Sequence, residues 1–592
     1  MKKTITSGVS ILALAIAAPA FGQSTSTVDQ NGIANDAAVT QNGSNLSDVD
    51  QDGDDNAATV GQTGAANSST VDQDGGGNSA TVAQNGSGNT SIIDQDAFRA
   101  LANVSQSGSD NVSTVDQDDP DTAPGIGGTT GVADYDPDAT VMQNGSNNDS
   151  AITQTIAAGG GFNQTANVAQ SGDFNLSTID QNSDGPGYTG GMRAIVTQTG
   201  LATSDVSQTG TNGGKNLNAY VTQDDSISNV VQTATDTSGF NPTAVARINQ
   251  QSGSTSDVFQ TLTGDMTGDL NAEVTQANGA QSVITQNAFG EGAMTLDAIV
   301  NQNGASSSTV TQNLIHAGSN SYLATVDQTG DGHVSTILQQ SQGANNNTLL
   351  ADVDQTGSDN ESRIRQLGRT STALVNQSGN GNFSDIASRG FGQRSSVDQS
   401  GDDNASYIEQ GGFSEEATVV QSGDRNTSYV TQVSMTNRSD AFVTQTGDDN
   451  TSDIDQNGGS LNMATVNQAG VSGSARILQT ASSWEDQATV TQLAGADTNS
   501  ATITQRGVGN GGNRSRNEAS ITQDGGELNT STIEQLGQDN LASSSQDGSD
   551  LLSTIYQDGT SNSAVVTQTG LDQTSTVDQL GSGNSSVVNQ GM

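Results

Sequence analysis

Apolar and polar residues alternate along this chain in a pattern that recurs from one stretch to the next. In Asn78-Ser79-Ala80-Thr81-Val82-Ala83-Gln84, the residues Asn78, Ala80, Val82 and Gln84 share one face and Ser79, Thr81 and Ala83 the other. The stretch before it places Asn67, Ser69, Val71 and Gln73 on one face and Ser68, Thr70 and Asp72 on the other. A period of two with a β-branched residue at its centre predicts a half-buried strand, and Gly/Asn clusters interrupt any helix attempted through it. Each strand of about seven residues is followed by about four residues rich in Gly, Asn and Asp, which supply the positive φ of tight reversals.

The phrase "β-branched residue, any residue, Gln" marks the period. It reads Val28-Asp29-Gln30, Val39-Thr40-Gln41, Val49-Asp50-Gln51, Val60-Gly61-Gln62, Val71-Asp72-Gln73, Val82-Ala83-Gln84 and Ile93-Asp94-Gln95, with the glutamines about 11 residues apart. Roughly 45 copies run to Val588-Asn589-Gln590. A second period lies over the first. The middle residue is Asp at 29, 50, 72, 94 and 116 and Thr, Gly, Ala or Ser at 40, 61, 83 and 105, so the unit is about 22 residues, two strands across a turn.

The predicted fold is all-β: a long β-solenoid of strand-turn-strand coils with two facing parallel sheets. Copies stacked one strand spacing apart, about 4.8 Å, give a rod on the order of 100 Å from about 22 coils. Equivalent amides then lie above one another. Gln30, Gln41, Gln51, Gln62, Gln73, Gln84, Gln95, Asn67, Asn78, Asn89, Gln568, Gln579 and Gln590 are expected to form ladders, each amide donating to one neighbour and accepting from the other.

Composition is why ladders are needed. Only 31% of the 592 residues are hydrophobic and 3% aromatic, too few for several ordinary cores. Formal net charge is −48, from 65 acidic and 17 basic residues, a surface that repels nucleic acid and anionic lipid. There is no Cys, hence no disulfide and no thiolate chemistry. Asp29, Asp50, Asp72, Asp94 and Asp116 form an outward column of like charges, which acid or divalent cations should relieve.

Along the chain, residues 1–22 read as a signal peptide: Lys2 and Lys3, the apolar run Ile11 to Ala18, then Ala20-Phe21-Gly22 before Gln23. No later segment is apolar enough to span a bilayer. Residues 23–117 are regular repeats, and 118–138 is a Pro/Gly/Asp-rich insert holding Pro120, Pro124 and Pro137. The repeats continue over 139–592, with longer turns in about 198–328 and an irregular patch at 507–517. Arrays that start near Gln23 and run to Gln590 without polar caps favour end-to-end addition.

No catalytic constellation emerges, no cofactor is implied, and the chain reads as a non-enzyme. Asp52, Asp54, Asp55, Asp402, Asp403, Asp448 and Asp449 are calcium candidates by composition, but they lack EF-hand or calcium β-roll spacing and read first as turn formers. His316 and His333 read as turn residues without an organised partner, and Gly213-Gly214-Lys215-Asn216 is not a phosphate loop. Thr59, Thr70 and Thr81 raise ice binding, which the Asp, Ala and Ser mixed into that face oppose.

The pattern Ser-x-Val-x-Gln-x-Gly-x-x-Asn-x-Ala/Ser-x-Val-x-Gln resembles the curlin repeat of bacterial curli, most clearly in Ser79 to Gln95 and Thr576 to Gln590. This resemblance covers nearly the whole chain after residue 22. It implies a subunit of extracellular curli-like amyloid fibres (fimbriae) on a Gram-negative cell surface, serving adhesion, aggregation and biofilm matrix. It also implies self-assembly or co-assembly with other curlin-like subunits, export through a dedicated outer-membrane secretion pore, and periplasmic chaperones. The sequence departs from the family in its length, its acidity and its inserts. The alternative is a non-polymerising β-solenoid adhesin or surface-layer protein.

Overall fold

A computed structural model describes residues 23–119, 137–156, 162–184, 190–211, 216–235, 243–264, 266–290, 292–315, 318–341, 347–433, 437–480, 483–507 and 514–591. The proposed signal peptide, His316, the Gly213–Lys215 stretch and the body of the proline-bearing insert lie outside these residues. Every regular element among the described residues is a β-strand. They gather into two units, one reaching Val300 and adding 314–319, the other comprising Asn301–Asn313 and the chain from Asn320 onward.

After the long strands at the start of the first unit, where neighbouring strands pair directly, a strand pairs in parallel with the strand two places before it and the strand two places after it, so one coil is two strands. In the first unit Val71 lies against Ile93 and Gln73 against Gln95, and Gln95 in turn lies against Gln117. In the second, Gln535 meets Gln557 and Gln557 meets Gln579. The 22-residue sequence period is therefore a register period: each residue meets its own equivalent in the next coil. Strands and turns are less separate than the sequence suggests. Asp36–Asp54 and Ala57–Gly76 run as strands through the arc between the two sheets, with a register irregularity between Ser44 and Leu46.

Alternation does what the pattern predicts. In Ser79–Ser87, Ala80, Val82 and Gln84 are buried while Ala83 is exposed. The interior is thin. Val49, Val71, Ile93 and Val115 from one sheet face Val60, Val82 and Val104 from the other, all essentially without solvent contact. Each such side chain contributes about 1.5–3 kcal/mol of burial. Small residues let the sheets approach: Ala58, Ala80 and Ala102 on one side, Ser47, Ser69, Ser91 and Ser113 on the other. Those four hydroxyls have no hydrogen-bond partner among the described residues, which weakens the core by about 1 kcal/mol or more each. The turns need glycine for space. Gly64 has φ 116°, and a Cβ there would collide with the Gly86 carbonyl oxygen of the next coil.

The stretch with longer glutamine spacing does not hold its extra residues in loops alone. Met266–Ala277 and Asn320–Asp331 are strands of 12 residues. In the first unit the asparagine position, six residues before the ladder glutamine, turns apolar in a column from Met192 to Leu217 to Ala244 to Leu270, which widens the apolar core.

Candidate functional site in the amide ladders

Two glutamine ladders run through each unit. In the first unit one passes from Gln30 through Gln51, Gln73 and Gln95 to Gln286. The other passes from Gln41 through Gln62 and Gln84 to Gln276. Every step has the same direction: Nε2–H donates to Oε1 of the following coil, at 2.7 Å from Gln51 to Gln73 and 2.8 Å from Gln73 to Gln95. The second unit keeps that polarity, at 2.8 Å from Gln557 to Gln579 and from Gln568 to Gln590. The other amide proton crosses the core. Gln62 donates to the Leu46 carbonyl, Gln73 to that of Ala57 and Gln84 to that of Ser68, at 2.9, 3.1 and 2.9 Å. Each glutamine thus joins successive coils and ties one sheet to the other, which satisfies a buried amide that would otherwise cost several kcal/mol.

The asparagines run the other way. Asn89 donates from its backbone N–H and from Nδ2 to Oδ1 of Asn67, at 3.2 and 3.1 Å. Asn78 sits in the opposite column. Its Oδ1 accepts from the Ala100 N–H, and the asparagine column stops there because Ala100 has no amide. Opposed ladder directions partly cancel the amide dipoles within a coil.

Both ladders contain substitutions in the second unit. Ser388 occupies the glutamine position between Gln366 and Gln410, and its buried hydroxyl has no partner among the described residues. His333, Glu415 and Asp486 occupy asparagine positions, all at 1% exposure or less. His333 lies in the turn between Asn320–Asp331 and Val334–Gln340, as the sequence suggests, but its ring is buried and hydrogen-bonded. Its Nδ1 accepts from the Asn360 N–H, and Nε2 lies 3.1 Å from the Thr329 carbonyl. Glu415 Oε2 accepts from the Gly412 N–H at 3.1 Å, while Oε1 has no partner among the described residues. Burial pushes this carboxyl up to about 7, against smaller opposing hydrogen bonds from Gly412, Gln393 and Gly411. Burial also raises Asp486, whose Oδ1 accepts from the Asn517 N–H at 2.8 Å. The sequence signal was available, because all three lie six residues before a ladder glutamine, where Asn78 stands relative to Gln84.

The outward aspartates stand in register: Asp29, Asp50, Asp72, Asp94 and Asp116 in one column, and Asp52, Asp74, Asp96 and Asp118 in the next. Asp72, Asp94 and Asp116 are raised from the ordinary carboxylate range, first by partial burial and then by neighbouring aspartates. The turn aspartates serve the backbone. Asp54, Asp402 and Asp448 each accept, through Oδ1, the N–H of a turn one coil earlier, from Ile33, Asn380 and Asp424 at 2.7, 2.9 and 2.9 Å. Asp52 accepts from the Asn31 amide, and Asp449 is held by Arg425 at 2.7 Å. Asp55, Asp403 and Asp449 take positive φ of 60°, 58° and 56°. Among the described residues no three His, Asp or Glu side chains group as a metal site, and no helix is long and apolar enough to cross a membrane.

The family model described as the curlin associated repeat matches the chain six times, at residues 44–75, 64–96, 347–379, 414–447, 436–470 and 548–581. No curated protein matches the chain.

Proposed function

Since the chain belongs to the curlin-repeat family, we propose that it is a structural subunit of extracellular, curli-like amyloid fibres. The observation that carries this reading is the uniform polarity of the buried glutamine ladders. Along each glutamine ladder the amide donors face one way and the amide acceptors the other, in the register of the neighbouring coil. A coil of a second copy, or of another curlin-like subunit, finds the surface that the next coil of the same chain would provide. Such fibres would be exported through an outer-membrane pore with periplasmic chaperones and would serve adhesion, aggregation and biofilm matrix at a Gram-negative surface. A non-polymerising solenoid adhesin draws support from the second unit, where outward Arg and aromatic residues make successive coils unlike one another.

Thioflavin fluorescence and electron microscopy of the purified chain lacking residues 1–22 separate the two. Fibres with a cross-β spacing near 4.8 Å are expected. Soluble monomers with a persistent β signal and no fibres would leave only the adhesin reading.

A further inference from the structure

We propose that Tyr407 and Tyr429 form an oxidative cross-linking site, at which a peroxide-using haem peroxidase couples the two phenol rings into a dityrosine within one chain. The residues face each other in register on neighbouring strands, Ala405–Gln410 and Thr427–Val433. Their ring centroids lie 4.9 Å apart with planes 8° from parallel. In such a co-facial pair each ring edge lies over its counterpart. Both rings are open to solvent, at 37% and 43% exposure, so an oxidant reaches them and a small rotation of each can bring two edge carbons together. Phe383 packs against Tyr407 at 5.3 Å, and Arg363 lies over the Phe383 ring, which supports the stack from one side.

The coils on either side continue the column with Asp385 and Asp453 rather than further rings, so coupling is confined to one pair. The other described tyrosines have no such neighbour. Tyr220 lies between Arg193 and Arg247, Tyr322 is buried with its hydroxyl accepting from the Ser341 N–H, and Tyr556 lies between Glu534 and Asp578.

The chemistry balances with one hydrogen peroxide per cross-link. Each phenol loses one electron and one proton to become a phenoxyl radical, and the electrons and protons reduce the peroxide to two waters. The radicals join through one carbon–carbon bond between ring positions adjacent to the hydroxyl-bearing carbons. The hydrogens on the coupled carbons then move to the phenol oxygens as aromaticity returns, so the chain loses two hydrogen atoms in all. The bond ties two successive coils in a protein that has no cysteine to do so.

The test exposes the full chain, without residues 1–22, to hydrogen peroxide and a haem peroxidase. Readouts are dityrosine fluorescence, intact mass and a protease map. The expected product is a single chain lighter by two hydrogens, with the peptides bearing Tyr407 and Tyr429 joined. Tyr429→Phe, which keeps the ring stack, should reduce intrachain dityrosine roughly tenfold, because pre-alignment supplies the advantage over random encounter. Tyr407→Phe is the second arm, and Tyr220→Phe and Tyr556→Phe should leave the yield unchanged. Cross-links joining only other tyrosines or separate chains, or an unaltered intrachain yield in both Tyr→Phe arms, would overturn the proposal.

Discussion

Residues 23–119 and 361–516 are built on the same interior and have opposite outer faces. The first stretch carries 15 acidic residues and one basic residue, a formal −14 (1 − 15). The second carries 17 acidic and 11 basic residues, a formal −6 (11 − 17), although it is longer. In an in-register stack a repeated side chain meets itself. Amides are both donor and acceptor and gain from that meeting, whereas carboxylates repel. The first stretch keeps its ladders unbroken on the glutamine positions and carries the repulsion outside, in Asp50, Asp72, Asp94 and Asp116. The second alternates sign along its axis, with Arg365 to Asp385, Arg389 to Glu409 and Arg476 to Asp453 each at 3.2 Å, and admits faults inside, at Ser388, Glu415 and Asp486.

The largest difference between the stretches should come from the glutamine ladder. Gln73→Leu strands the Gln51 donor and the Gln95 acceptor and is expected to destabilise the first stretch by about 3 kcal/mol. Ser388→Gln should restore the second ladder and stabilise its coil by about 1 kcal/mol. Hydrogen exchange of the flanking strands reads both, and equal, negligible effects would erase the contrast.

Next in size is Glu415. Its folded value of about 7 exceeds the ordinary Glu value of 4.5, so the fold favours the neutral acid. Stability is full below the unfolded value and declines as pH rises through the folded one, by roughly 2–3 kcal/mol between pH 4.5 and 8. Glu415→Gln should remove that slope in thermal melts of the second unit.

The aspartate columns come third. The folded values of Asp72, Asp94 and Asp116 are raised, so their destabilising effect grows as pH rises through the carboxylate range and is relieved by acid. Replacing all three by Asn should flatten the pH and salt dependence of the first stretch. The gain is expected to be below about 1 kcal/mol per site, because these groups are partly screened by solvent. The smallest effect belongs to the exposed ion pairs: Arg365→Ala should cost at most about 1 kcal/mol and less in high salt.

Much of this was legible in the sequence because the side-chain period of a strand and the 22-residue repeat together determine which residue faces inward and which equivalent it meets. Gln30 to Gln95 and Gln568 to Gln590 lie in ladders for that reason. The opposed direction of the asparagine bonds was not legible, since spacing carries no information about which amide donates. The stop at Ala100 was legible by the same alignment, since Ala100 stands six residues before Gln106 and has no side-chain amide. His333 reads from the sequence as a turn residue, and Glu415 does not stand out there; aligned on the following glutamine, both take the inward position. Leu270 and Leu296 lie in the stretch that reads as longer turns because the glutamine spacing changes there, yet each stands six residues before a glutamine and faces inward.

A cryo-electron microscopy map of the assembled chain at side-chain resolution bears most directly on the ladders. The expected density shows each buried glutamine amide bridged to the equivalent amide one coil away, in two continuous columns. Glutamine side chains pointing to solvent, or a stagger that separates equivalent amides, would contradict it.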